Sequence, residues 1–290
     1  MRMNRFLIAG GLIAAMALVA FRMPAKEPVD LEDAIKKGMV KIEPVSKGGY
    51  SGDCINLKLT NLSKGELNLV LPAGSVFHPE DDGMQDIFVP QDQLFVLEKG
   101  KTLQRPVRGY CCQASDRSPS SGTTFRLAKS KNPKLLELAS FLKKNRFTDH
   151  ITQSAVWCVS DDHNVSGIYH SDRSKVQPLR DVLCKLTGQK DVWYSTDTDH
   201  VMDDDGYIRC EPKLITGAIK CKADAPVGIR AEVKGVDVER EYKIPGELKL
   251  PRAGEFEYDF NLRISGWQKG KYQVLIFAGD KKIHTQDFEL

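Results

Sequence analysis

The chain has 290 residues, 41% hydrophobic and 28% charged, with 42 basic and 39 acidic side chains and a formal charge of +3. The apolar share supports a packed core and leaves no long region that reads as disordered. So even a balance excludes the clustered basic face of a nucleic-acid binder, and no basic amphipathic helix marks a membrane-surface protein.

At the N-terminus, Arg2 and Arg5 precede an apolar run from Phe6 to Phe21, and the small Ala20 or Ala25 offers a cleavage site. That order reads as a secretory signal peptide over residues 1–25. The run is slightly shorter than the roughly 20 apolar residues of a spanning helix, so cleavage is expected to leave no transmembrane domain. The remainder is read as extracytoplasmic: periplasmic, at the cell surface or secreted. Cysteines there are usually oxidised. The seven are Cys54, Cys111, Cys112, Cys158, Cys184, Cys210 and Cys221, so one thiol is left over. The expected bridges are Cys54 to Cys111 or Cys112, Cys158 to Cys184, and Cys210 to Cys221. No zinc-type spacing is present.

From about residue 30 the pattern is strands and turns. Ile55, Leu57 and Leu59 alternate with polar residues, and Leu67, Leu69 and Leu71 do the same. A period of two places each set on one face of a sheet. Gly48-Gly49, Asp81-Asp82-Gly83 and Lys99-Gly100 supply turns. Short strands at such intervals predict a β-sandwich or small barrel.

A helical section follows, about residues 132–188. Asn132-Pro133 is a helix start, and Leu135, Leu138 and Leu142 share one helical face. Thr148 or Asp149 caps a second helix. Pro178 begins a third, with Gly188 as its stop. These helices are too few to bury a core alone, so they are expected to pack on the first sheet and complete a domain over residues 30–195. Ser195 to Gly206 reads as an acidic, turn-rich link. Strands return in a second domain, residues 207–290, where Phe256, Tyr258, Phe260 and Leu262 alternate with polar residues. The fold class is therefore mainly β with a small helical section.

Near the end, Gly270, Tyr272, Val274 and Ile276 form a G-x-Y-x-V-x-I pattern. It resembles the closing hairpin of bacterial immunoglobulin-like or fibronectin-like modules, which implies a C-terminal sandwich and no particular activity.

Enzyme signatures such as H-E-x-x-H, G-x-S-x-G, the P-loop and the dinucleotide fingerprint are missing. No catalytic residue, cofactor or enzyme activity is assigned. Asp161-Asp162-His163 and His170-Ser171-Asp172 place histidines near carboxylates, a pattern usual for loop side chains and caps. Asp203 and Asp205 before Gly206 give part of a calcium loop without its closing Glu.

Tyr110-Cys111 and the later Gln153-Ser154-Ala155-Val156-Trp157 carry a second resemblance. An aromatic–Cys pair followed by Gln-x-x-apolar-Trp is similar to the thioester domains of bacterial surface adhesins. In that family the thiol and the Gln side chain condense to an internal thioester, which captures an amine on a target surface. The resemblance implies Cys111 as thiol, Gln153 as acyl donor and Trp157 as a packing residue beside the bond. The alternative is a plain helix with Val156 and Trp157 in the core and Gln153 at its edge.

These observations lead to the expectation of an exported, disulfide-stapled, non-enzymatic binding or assembly protein. Its partner would be a protein or glycan at the cell envelope or outside it. The two alternatives are a thioester-type adhesin using Cys111 and Gln153, and an envelope hydrolase or thiol-redox protein.

Overall fold

The computed structural model describes residues 27–290, so the expected export signal lies outside the described residues. The first ten strands and helices are β1 (Val29–Asp30), α1 (Leu31–Lys36), β2 (Val40–Ser46), β3 (Ser51–Asn61), β4 (Leu67–Leu71), β5 (Ser75–Pro79), β6 (Ile87–Val89), β7 (Gln93–Leu97), β8 (Thr102–Cys111) and β9 (Phe125–Lys129). Helices α2 (Pro133–Leu142), α3 (Asp149–Ser160) and α4 (Gln177–Thr187) come next. The C-terminal strands are β10 (Tyr194–Met202), β11 (Ile208–Ala223), β12 (Val227–Gly235), β13 (Glu241–Lys243), β14 (Leu248–Leu250), β15 (Gly254–Arg263), β16 (Lys271–Ala278) and β17 (Lys281–Glu289).

Six antiparallel strands form one sheet in the order β2-β3-β8-β6-β5-β9. Its two edges approach each other where Val45 bridges Thr124, so the twisted sheet nearly closes into a barrel. The alternating residues read from sequence line its interior: Ile55, Leu57 and Leu59 are fully buried. Leu67, Leu69 and Leu71 meet them from a smaller sheet, β1-β4-β7. Each such side chain contributes about 1.5–3 kcal/mol of burial free energy.

The other face of the six-stranded sheet carries Val76, Phe88, Tyr110 and Cys112, and the helices pack on it. Leu135, Leu138 and Leu142 of α2 and Leu179 and Leu183 of α4 join that core. The Asn132 side chain caps α2, Thr148 caps α3, and Gly188 ends α4 at a φ of 79°. Helix α3 lies between the sheet and its neighbours: every residue from Ile151 to Val159 is buried. A helix enclosed on all sides is a core element, and its polar side chains must then find partners.

The C-terminal unit is a two-sheet antiparallel sandwich. Strands β10-β11-β15 face β13-β12-β16-β17, with β14 also paired to β12. Ile215, Phe260 and Leu262 from the first sheet meet Val233, Tyr272, Val274 and Ile276 from the second. Among the described residues no helix is long and apolar enough to cross a membrane.

Three features depart from the sequence reading. Residues 31–36 form the short helix α1, capped by the Asp30 carboxylate on the Glu32 and Asp33 N–H groups. The acidic stretch from Ser195 is no link: it is strand β10 and the turn into β11. All seven cysteines are free thiols. Cys210 and Cys221 lie on the single strand β11, separated by roughly 35 Å of extended chain, too far for a disulfide. Cys54 and Cys111 share the barrel core without a bond, and Cys158 on α3 and Cys184 on α4 are likewise unbridged.

Arg180 ties the two units together. Its side chain is fully buried and meets Asp191 at 2.6 Å. It also donates to the carbonyls of Val165, Ile168 and Tyr194 and to the Ser195 hydroxyl. A buried guanidinium needs such a set of acceptors to offset its lost hydration.

Candidate functional site

Strand β8 runs through the middle of the six-stranded sheet and ends at Cys111. On one side Cys111 pairs with Ile87 of β6. On the other, its N–H donates to the Tyr50 carbonyl at 2.9 Å, just before β3 begins. Beyond that point β3 offers no further partner, and the Gln153 side chain takes its place. The Cys111 N–H also donates to Gln153 Oε1 at 3.1 Å, and Gln153 Nε2 donates to the Cys111 carbonyl at 2.8 Å. The carboxamide thus pairs with the main chain of Cys111 as a neighbouring strand would. Cys111 and Gln153 are both fully buried, so the place expected for Gln153 at the helix edge is corrected: it lies in the interior.

The spacing along α3 explains how Gln153 arrives there. Asp149, Gln153, Trp157 and Asp161 recur every four residues, which aligns them on one helical face. Asp149 Oδ1 accepts from the Tyr110 hydroxyl at 2.7 Å and from Arg108 Nη1 at 2.9 Å. Asp161 Oδ1 accepts from the Ala114 N–H at 2.6 Å. One side of α3 is therefore fastened to β8 and its continuation at three levels, with Gln153 in the middle.

One turn further along α3, Trp157 anchors an aromatic roof. Trp157 is fully buried. Tyr50 stacks on it with ring centroids 6.0 Å apart, and His163 approaches to 5.5 Å. His200, from β10 of the sandwich, meets Trp157 at 4.9 Å and stacks on His150 at 4.3 Å. The Tyr50 hydroxyl donates to the His200 carbonyl at 3.4 Å. Among the described residues, Trp157 Nε1 and His200 Nδ1 are buried without a hydrogen-bond partner.

Electrostatics keep this region neutral. Burial lowers His200 to about 4, helped by the nearby His150 and His163. Burial also lowers His150 and His163. The Cys111 thiol is pushed well above its ordinary value, chiefly by burial and then by Cys54 and Cys112. Cys54 is pushed up to about 12 for the same main reason. None of these thiols has the lowered pKa of a redox cysteine. Cys111 and Cys112 leave the strand on opposite faces, Cys111 into the barrel core and Cys112 into the helix-side core.

The remaining sequence candidates are scattered. His163 belongs to the roof, whereas His170 sits in a turn, its Nδ1 accepting from the Asp172 N–H. Asp203 serves the β10–β11 turn: its carboxylate accepts from the N–H groups of Asp205 and Tyr207. The Tyr207 bond is the main cause of its lowered pKa. Among the described residues no three His, Cys, Asp or Glu side chains are grouped to hold a metal ion. Sequence reasoning missed Tyr50, His150 and His200. Their association spans 150 positions of chain between Tyr50 and His200, and no local pattern announces it.

Compared with family models, characterised proteins and solved structures, the chain matches none.

Proposed function

We propose that Cys111 and Gln153 form an intramolecular thioester, and that the protein is an exported, non-enzymatic binding protein that captures its partner covalently. The observation that carries this reading is the buried Gln153 carboxamide held by two hydrogen bonds against the main chain of Cys111. The Cys111 side chain itself lies in the barrel core, so the condensation requires the thiol to turn toward the carboxamide. In the condensation, Cys111 Sγ bonds to Gln153 Cδ, the Cδ–Nε2 bond breaks, and ammonia leaves with the thiol proton. A target amine then attacks Cδ, giving an amide and restoring the Cys111 thiol. The event occurs once per molecule, as befits capture rather than turnover.

Two further features support the reading. The pair is closed from solvent, and a thioester survives only where water is excluded. Cys111 is free rather than bridged to Cys54, and a disulfide there would forbid the bond. A redox role is less well supported, because burial raises the thiols of both Cys111 and Cys112.

Intact-mass measurement and peptide mapping, on protein prepared without reductant, test the proposal. The expected result is a mass lower by one ammonia and a Cys111–Gln153 crosslink that Gln153→Ala and Cys111→Ala each abolish. An unreduced mass, with Cys111 fully alkylated after denaturation, overturns it.

A further inference from the structure

A second cleft lies on the helix side of the barrel, at the seam between β5, β9 and the start of α2. Its volume is about 430 Å³, within the usual range for small-molecule sites. The interior end is apolar, formed by Val76, Leu135 and the buried Cys112. The mouth carries Arg126, Lys129 and Lys131. Lys129 is drawn to Asp30 at 3.2 Å, whereas Arg126 and Lys131 have no acidic partner among the described residues.

His78 stands between the two ends, opposite Arg126 in the β5–β9 register. Its Nδ1 meets Asp86 Oδ1 at 2.8 Å, which fixes the ring and leaves Nε2 without a partner among the described residues. Asp86 is held in turn by Gln113: Asp86 N–H donates to Gln113 Oε1 at 2.9 Å, and Gln113 Nε2 donates to Asp86 Oδ2 at 3.1 Å. Gln113, which opens a turn closed by the Asp116 N–H on its carbonyl, has a φ of 55°, a left-handed conformation uncommon for a residue with a side chain. Strain at such a position is characteristic of places where geometry serves a ligand.

We propose that this cleft binds a small amphipathic molecule that carries an oxyanion. The anionic end meets Arg126, Lys131 and His78 Nε2, and the apolar body lies against Val76 and Leu135. Charge-assisted hydrogen bonds from a guanidinium and an ammonium are the strong interactions at such a mouth. The apolar floor distinguishes the site from a surface that only attracts counter-ions. The proposal does not depend on the thioester.

Isothermal titration of the mature chain with octanoate, and separately with inorganic phosphate, tests it. Saturable one-to-one binding of octanoate is expected, with inorganic phosphate binding at least about tenfold more weakly. Arg126→Glu with Lys131→Glu is expected to weaken octanoate by about tenfold or more while the thermal midpoint stays put, since both side chains are exposed. Leu135→Asn probes the apolar end, and its fold is checked by circular dichroism. Heat that never saturates, binding unchanged by the charge reversal, or phosphate binding as tightly as octanoate would each overturn the proposal.

Discussion

Gln153 and Cys111 are 42 residues apart in sequence and share two hydrogen bonds through one side-chain amide. That amide completes the strand edge of β8, so it has a structural consequence even before any covalent bond forms. Replacing Gln153 by Ala leaves the Cys111 carbonyl buried without its partner. The expected loss is about 1–3 kcal/mol, read as a lower thermal midpoint. An unchanged midpoint would mean that water reaches the carbonyl.

The clamp at Arg180 gives a larger effect. Arg180→Met removes the donor shared by the carbonyls of Val165, Ile168 and Tyr194 and strips Asp191 of its closest cation. The expected loss is about 3–5 kcal/mol. Limited proteolysis should then cut first between α4 and β10. A variant as protease-resistant as the parent would show that packing alone holds the two units.

The buried histidines set a pH dependence. His200 ionises near 4 in the folded chain and near 6.5 when unfolded. Between those values the unfolded chain binds the extra proton, so stability rises with pH through this window and falls on acidification. The stabilisation is complete above pH 6.5. It is lost progressively down to about pH 4, amounting to about 2–3 kcal/mol from His200 after allowance for its partial exposure. His150 and His163 act in the same direction. His200→Phe keeps an aromatic ring on Trp157 and should flatten the slope of melting temperature against pH. An equally steep slope in that variant would assign the effect elsewhere.

Gly109 tests the crowding beside Cys54. A Cβ at this position would lie 3.3 Å from the Phe88 carbonyl and collide with Ile87 Cγ2. Gly109→Ala should therefore cost about 1–3 kcal/mol by overpacking and loosen β6 from β8. Chemical denaturation reads the first. Faster amide exchange at Phe88, relative to β2, reads the second.

Thiol accessibility follows burial. Cys210 is exposed, Cys184 half-exposed and the other five cysteines buried. Under native conditions an alkylating reagent should label Cys210 first and Cys184 next, with Cys54, Cys112, Cys158 and Cys221 reacting only on unfolding and Cys111 withheld by its thioester. Early labelling of Cys112 would show that the helix-side core opens on the timescale of the reaction.

Local signals carried the reading of the sequence furthest. Asn132, Thr148 and Gly188 act within one turn of their helices, and the alternating leucines of β4 need only the pleat to choose a face. Strand β10 was hidden because Asp and Ser favour turns. It forms because β11 supplies a partner, and Lys213 sits across from Asp197 and Asp199, which share a face. Cys111 and Gln153 were visible as a pair of motifs. Their hydrogen bonds, the burial of Gln153 and the roof of Tyr50, Trp157 and His200 depend on long-range packing, which no local pattern encodes.

Strand β11 has a mechanical consequence. It is one continuous segment of 16 residues, roughly 50 Å long. One end shares the hairpin that carries His200, and the other lies deep in the sandwich. A pull on the C-terminal unit would load its backbone hydrogen bonds to β10 and β15 together, in shear. The same strand that resists the load would carry it to the ring that meets Trp157.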